Sequence, residues 1–88
     1  MALKFEWDAK KAAANIKKHN VSSEEARTIF GDPFARISED IEHSEYEQRW
    51  YVIGQSDRQR VLVVAYTERK KFIRIITERP AEATFTFS

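Results

Sequence analysis

One arginine in the C-terminal half of the sequence stands among residues suited to RNA binding. Arg74 lies in the apolar stretch FIRIIT, downstream of two further stretches that contain Trp50 and Tyr66. If all three stretches form neighbouring strands, these side chains share one face of a sheet. Aromatic rings beside a cation suit single-stranded RNA, whose bases stack and whose phosphates need positive charge. Alternatively, the rings cover a second small core and Arg74 pairs with Glu68 across the strands.

The two histidines are candidates for acid–base chemistry, because imidazole titrates near neutral pH. His19 follows Lys17 and Lys18 at the end of a predicted helix, where the helix dipole favours cations in any protein. His43 lies in an acidic loop, and no pattern gives it a role. Because the two histidines are far apart in the sequence and cysteine is absent, we expect no bound metal or other cofactor.

Seven elements are predicted to position these residues, in the order β-α-α-β-β-β-β. A strand over 3–7 and a helix over 9–19 come first, joined by an aspartate suited to cap the helix. Ser22 and Glu25 have the spacing of a capping box and begin a second helix that runs to Phe30. The remaining strands are predicted over 34–38, 49–55, 60–68 and 72–79. We therefore expect an α+β fold, with an N-terminal strand and two helices packed on an antiparallel β-meander.

The lengths of the turns decide which side chains share a face of the meander. If residues 69–71 form a three-residue loop, Tyr66 pairs with Arg74 and Glu68 pairs with Phe72. The opposite face is then almost purely aliphatic, and we expect the helices to pack there. That face contains Tyr51, Ile53, Val61, Val63, Ala65, Ile73 and Ile75. A change of one residue in turn length would redistribute both faces.

Length and composition limit the class of protein. A chain of 88 residues that is 42% hydrophobic predicts one small folded domain over 1–88, with residues 80–88 irregular. No apolar run reaches the ~18 residues of a membrane span and no secretion signal is present, so a cytoplasmic protein is expected. Residues 39–47 hold five acidic residues and no Lys or Arg, which leaves a net charge of +6 on the rest of the chain. An acidic loop beside a basic body suits a protein that binds an anion.

The sequence also resembles the BrnT-type toxins over nearly all of residues 5–79. The matching positions of the first, long motif are Phe5, Trp7, Asp8, Lys11, Asn15, Lys18, His19, Ser22, Glu25 and Ala26. Shorter motifs follow in the family's order: Asp32-Pro33, Glu47-x-Arg49, Ile53-Gly54, Tyr66-Thr67-Glu68-Arg69 and Arg74-Ile75-Ile76-Thr77-x-Arg79. The family often has histidine in place of Tyr66, and it usually continues after Arg79 into a basic helix where this chain has PAEATFTFS.

The resemblance implies a RelE-like fold and a ribonuclease toxin of a type II toxin–antitoxin pair. It further implies a BrnA-like antitoxin of the ribbon-helix-helix type, which neutralises the toxin and through which alone the pair binds DNA. Metal-independent RNA cleavage needs a base for the ribose 2′-hydroxyl, a cation for the phosphate and an acid for the leaving 5′-oxygen. We expect Arg74 and Arg49 to clamp the phosphate, since a guanidinium can hold two oxygens at once. Glu68 or His19 is the expected base, and Lys18 or His19 the expected acid.

Four further residues are expected to bind substrate. Tyr66 would stack on a base or donate a hydrogen bond, and Trp50 would stack; Arg69 and Arg79 would contact substrate or antitoxin. Glu47 and Arg49, two residues apart on one strand, are expected to form a local ion pair. The competing class is a non-catalytic module that binds nucleic acid or a protein partner. A metalloenzyme is a third class, disfavoured by the small number of histidines.

Overall fold

Short sequence signals set the ends of the first helix. The computed structural model describes residues 3–81, in which strand β1 (Lys4–Trp7) leads directly into helix α1 (Ala9–His19). Asp8 caps α1 by accepting a hydrogen bond from the backbone N–H of Lys11 at 3.0 Å. Asn20 ends the helix in the left-handed conformation, with φ of 58°. The predicted strand and helix are both present.

Only one of the two hydrogen bonds of the predicted capping box forms at the start of the second helix. Ser22 caps α2 (Ser23–Thr28) by accepting a hydrogen bond from the backbone N–H of Glu25 at 3.0 Å. The reciprocal half of the capping box is missing because the Glu25 carboxylate turns towards the β-sheet. There it accepts hydrogen bonds from Ser56 Oγ at 2.7 Å and Arg60 Nε at 3.0 Å. This buried contact ties α2 to the turn between two strands.

Five strands form one mixed sheet in the order β1-β5-β4-β3-β2. The strands that follow the helices are β2 (Arg36–Glu39), β3 (Arg49–Gln55), β4 (Val61–Arg69) and β5 (Phe72–Pro80). Single 3₁₀ turns precede and follow β2, over Ile29–Gly31 and Ile41–His43. β1 pairs parallel with β5, and the other neighbours are antiparallel. The α+β class and the order of elements are confirmed, whereas the sheet is not wholly antiparallel.

The turn between β4 and β5 contains two residues, not the three predicted. Lys70 and Lys71 form it, and Lys70 has φ of 52°, a conformation that tight hairpin turns require. The partner of Tyr66 is therefore Ile75, and the predicted pairing of Tyr66 with Arg74 is wrong. Because side chains alternate along a strand, this slip of one residue moves Arg74 to the opposite face of the sheet.

The hydrophobic core lies between the helices and the sheet face that carries Tyr66. Its members of lowest exposure are Val21, Ala26, Ile29, Leu62 and Val64. Tyr66 is 5% exposed and packs edge-on against Phe30, with ring centroids 5.1 Å apart. The helices thus cover the aromatic face, and the prediction that they pack on the face of Tyr51 and Ile53 is wrong. Of the tail predicted to be irregular, Pro80 still belongs to β5, Ala81 lies in no helix or strand, and 82–88 lie outside the described residues.

The helices are short. Within residues 3–81, none is long and apolar enough to cross a membrane.

Candidate active site

Four residues from four neighbouring strands form a row on the sheet face opposite the core. Arg49 on β3 pairs with Thr67 on β4, Thr67 pairs with Arg74 on β5, and Arg74 pairs with Glu6 on β1. Directly paired residues project to the same face of a sheet. Since neighbouring strands lie about 4.8 Å apart, the two arginine α-carbons are roughly 10 Å apart. The row therefore places two guanidinium groups on either side of a threonine.

The row borders a hollow of about 190 Å³. Besides the two arginines and Thr67, the side chains that surround it include two acids and two bases: Asp8, Lys11, Glu47 and Arg69. The first turn of α1 thus reaches the edge of the sheet beside Arg74. The hydrogen bond from the backbone N–H of Lys11 holds the pKa of Asp8 below its ordinary value, against the smaller effect of burial. Asp8 therefore remains a carboxylate near neutral pH.

The arginines around the hollow differ in their partners. Arg74 Nη1 donates to Glu6 Oε2 at 3.0 Å, and both side chains are about one-third exposed. Arg69 pairs with Glu47 at 3.2 Å, so the predicted local pair of Glu47 with Arg49 is wrong. Within residues 3–81, the Arg49 guanidinium makes no hydrogen bond or ion pair. Arg49 is thus the guanidinium best placed to accept a phosphate without first losing a carboxylate.

Thr67 lies between the two arginines but points its hydroxyl elsewhere. Its side chain is almost fully buried, and Oγ1 donates to the carbonyl oxygen of Gln48 at 2.7 Å. The hydrogen bond holds the segment before β3 against β4. Thr67 therefore fixes the segment that leads into Arg49, while the strand register pairs it with both arginines.

The two aromatic residues expected to bind RNA lie on the core face. Burial, with a smaller effect of Glu68, raises the pKa of Tyr66, and its ring is enclosed by Phe30 and other core residues. A base cannot stack on a ring in that position, so the structure contradicts this expectation for Tyr66. Trp50 is half-buried against the core, and it lines a hollow of about 270 Å³ together with Glu68. This second hollow shares Thr67 with the first.

The residues predicted as acid or base lie at different distances from the row. Glu68 is exposed and pairs with Ile73, not with the predicted Phe72. His19 and Lys18 lie at the far end of α1, about 12 Å along the helix axis from Lys11. These two residues do not line the hollow that contains both arginines.

The two remaining predicted arginines lie on opposite sides of the row. Arg69 lies at the edge of the first hollow. Arg79 lies five residues beyond Arg74 on β5, near Tyr51.

The sequence patterns missed one pair of residues near Arg49. His43 lines a further hollow, of about 230 Å³, together with Tyr46, Glu47 and Arg49. Its Nδ1 lies 2.9 Å from an oxygen of Asp40. The available signal was the Asp-x-x-His spacing, which brings the two side chains together in a single helical turn. Among residues 3–81, no three or more His, Cys, Asp or Glu side chains are placed to hold a metal ion.

The fold and the hollow define a small α+β protein whose sheet carries a cationic site suited to an anion. The family described as "Ribonuclease toxin, BrnT, of type II toxin-antitoxin system" matches residues 7–84 of the sequence. The chain therefore belongs to the BrnT family of ribonuclease toxins, and the family predicted from the sequence is confirmed.

A solved structure supports the fold. The 1.1 Å crystal structure of the Brucella abortus ribonuclease toxin BrnT matches with a TM-score of 0.70 and 19% sequence identity. The match covers 92% of this chain and 99% of that chain. At this identity the likeness is evidence for the fold alone. No curated protein matches the sequence.

Proposed function

We propose that this protein is a RelE-like endoribonuclease toxin that binds the scissile phosphate of RNA between Arg49 and Arg74. The single observation that carries the proposal is the row in which both arginines flank Thr67 on one sheet face. A guanidinium can hold two phosphate oxygens at once. Two guanidinium groups can stabilise the negative charge that grows on the phosphate as it is attacked. Arginine charge thereby supplies the electrostatic stabilisation, and the proposed cleavage is independent of metal.

The proposed reaction is an internal transfer at phosphorus. A base takes the proton of the ribose 2′-hydroxyl, the 2′-oxygen bonds to phosphorus, the bond from phosphorus to the 5′-oxygen breaks, and an acid gives that oxygen a proton. The products are a 2′,3′-cyclic phosphate and a 5′-hydroxyl end. Of the bases predicted from the sequence, Glu68 is the better placed, because its hollow adjoins the row at Thr67. His19 or Lys18 could act on the RNA only if the RNA extended along α1.

The pairing of Arg74 with Glu6 sets how the site would receive RNA. The ion pair is about one-third exposed, so its own contribution to stability is small, about 0–1 kcal/mol. A phosphate can therefore displace the carboxylate or share the guanidinium with it. Glu6 holds Arg74 in the row until substrate arrives.

Membership of the family implies an antitoxin partner. We propose a BrnA-like antitoxin of the ribbon-helix-helix type, through which alone the complex binds DNA, and a cytoplasmic site of action. Arg69 and Arg79 are proposed contacts to RNA or antitoxin. Co-expression with the neighbouring small reading frame should relieve growth arrest and yield a complex that co-purifies. Failure of both would reject the antitoxin assignment and leave the RNA proposal standing.

The test of cleavage is incubation of purified protein with RNA, with and without a chelator such as EDTA. We expect fragments that end in a cyclic phosphate in both conditions. Arg74→Ala should lower the cleavage rate at least ~100-fold, a loss typical of removing one charged stabiliser of a transition state. The matched control is Arg27→Ala, an exposed arginine on α2 remote from the row. RNA that is bound but never cut would instead support the non-catalytic binding module.

A further inference from the structure

His43 is held in one orientation by a buried carboxylate. Its Nδ1 lies 2.9 Å from Oδ2 and 3.1 Å from Oδ1 of Asp40, whose side chain is 7% exposed. Burial raises the pKa of Asp40, but hydrogen bonds from His43 and the Tyr51 hydroxyl outweigh it and keep the pKa below its ordinary value. Asp40 is therefore a carboxylate, which can only accept hydrogen bonds. The proton must lie on Nδ1, and in the neutral ring Nε2 carries the free electron pair.

The same loop is fastened to the backbone of Arg49 on both sides. The Asp40 N–H donates to the Arg49 carbonyl oxygen at 2.9 Å, and the Arg49 N–H donates to Ser44 Oγ at 3.0 Å. Ser44 Oγ in turn donates to the Asp40 carbonyl oxygen at 2.6 Å. These three hydrogen bonds fix the turn that bears His43 relative to the arginine of the row.

His43 and Arg49 face a common space. The hollow of about 230 Å³ beside them has room for a ribose or a phosphate group. The His43 side chain is 55% exposed, so substrate can reach Nε2. Two carboxylates and two hydroxyls lie around the ring, and Arg49 is the cation among the side chains that line the hollow. These groups are Asp40, Glu47, Tyr46 and, behind Asp40, Tyr51.

We infer that His43, oriented by Asp40, is the general base of the ribonuclease reaction, acting on the ribose attached to the phosphate that Arg49 binds. His43 Nε2 takes the proton of the 2′-hydroxyl as the 2′-oxygen bonds to phosphorus. The bond from phosphorus to the 5′-oxygen breaks, and the leaving oxygen takes a proton from water. The imidazolium, stabilised by Asp40, then returns its proton to solvent. The inference rests on the proposed function, and it replaces Glu68 and His19 as the base and, with water as the proton donor, Lys18 and His19 as the acid.

The two histidines of the chain provide the deciding comparison. His43→Gln should lower the cleavage rate ~100-fold or more while RNA binding, measured with a 2′-deoxy oligonucleotide, stays within about twofold. His19→Gln should cleave within about twofold of wild type. The acidic limb of the pH–rate profile should be present in wild type and His19→Gln but absent from the residual activity of His43→Gln. Imidazole added to His43→Ala should restore part of the rate.

Asp40→Asn keeps the shape of the turn and removes the charge that orients the ring. It should lower the rate ~10-fold or more without weakening RNA binding, and circular dichroism should show a native fold. If wild type cleaves RNA and His43→Gln cleaves equally fast, the inference is wrong and the proposed function stands. If His43→Gln loses RNA binding together with cleavage, the residue binds substrate and is not the base. If wild type itself yields no fragments, the proposed function fails first.

Discussion

Arg49 and Arg74 pair with the same residue, Thr67, from the two strands on either side of β4. The relationship depends on one turn: with three residues between β4 and β5 in place of two, Arg74 would face the core. Both guanidinium groups instead lie on the open face of the sheet, beside the first turn of α1. An anion in this hollow meets positive charge from two sides.

The salt dependence of RNA binding should show that both arginines contact the phosphates of the RNA. Each lost phosphate contact to single-stranded nucleic acid reduces the slope of log K against log salt by about 0.7. Arg49→Ala and Arg74→Ala should each reduce it by about that amount, and the double variant by about 1.4. Fluorescence anisotropy with an uncleavable oligonucleotide at several salt concentrations measures the slope. Arg27→Ala should leave the slope unchanged, and equal slopes in all variants would show that the row does not touch the backbone.

Tyr66 should matter for folding and not for catalysis. Its ring is buried against Phe30, so Tyr66→Phe keeps the packing and should cleave RNA within about twofold of wild type. Tyr66→Ala should cost about 3–5 kcal/mol of stability, the usual loss for a buried aromatic ring. Urea unfolding and a cleavage assay separate the two effects. If a Tyr66→Phe variant folded normally but did not cleave RNA, the Tyr66 hydroxyl would have to donate a hydrogen bond in the reaction.

Gly54 should not tolerate a methyl group. A Cβ there would lie 3.0 Å from the Ala35 Cβ, 3.2 Å from Asp32 Oδ2 and 3.3 Å from the Ile29 carbonyl oxygen. Backbone and a hydrogen-bonded carboxylate cannot move aside easily, so Gly54→Ala should cost about 1–3 kcal/mol. Gly31→Ala is the control, since a Cβ at Gly31 meets nothing within 4 Å. Chemical denaturation of both variants should show the loss only at Gly54.

Local signals predicted the elements of this fold well. Asp8, Ser22 and Asn20 have the side-chain or backbone preferences that helix ends require, and all three lie where such residues are expected. The turn between β4 and β5 was less predictable because Arg-Lys-Lys contains no Gly, Asn or Asp to indicate a left-handed residue. Lys70 adopts that conformation regardless, and the register of Arg74 follows from it.

The candidate site was only partly accessible from the sequence. Their chemistry and the family resemblance point to Arg49 and Arg74, and the structure places them on one face. Their common neighbour Thr67 depends on the register, which no local pattern fixes. The sequence gives His43 no role because it lies in an acidic segment, whereas the role proposed for it depends on the burial of Asp40 in the folded chain.

The buried pair of Glu25 and Arg60 should stabilise the fold at neutral pH. Hydrogen bonding from Arg60, opposed by burial and helped by Ser56, lowers the pKa of Glu25 from its ordinary value of 4.5. Because the folded-state pKa is the lower one, the stabilisation is present above pH 4.5 and is lost as pH falls through the folded-state pKa. Glu25→Gln should cost about 3 kcal/mol at pH 7 and progressively less in acid. Urea unfolding at several pH values measures this, and a constant difference at all pH values would contradict it.

The contribution of Glu78 to folding stability should change with pH in the opposite direction. Its side chain is 2% exposed, and the Ser23 hydroxyl donates to its carboxyl oxygens at 3.2 and 3.4 Å. Burial raises the pKa of Glu78 above 4.5, an effect that Ser23 reduces and Glu24 increases. Between pH 4.5 and the folded-state pKa the folded protein holds more protons than the unfolded chain, so stability falls as pH rises.

Glu78→Gln removes this charge and keeps an acceptor for Ser23. The variant should equal wild type near pH 4 and exceed it by about 1–3 kcal/mol at pH 7, since a buried carboxylate with one weak donor is poorly solvated. Unfolding by urea at pH 4, 5.5 and 7 would measure the difference. Glu24→Gln, an exposed neighbour on α2, is the control and should change stability by less than ~0.5 kcal/mol. Parallel pH profiles of wild type and Glu78→Gln would show that Glu78 is well solvated or paired in the folded protein.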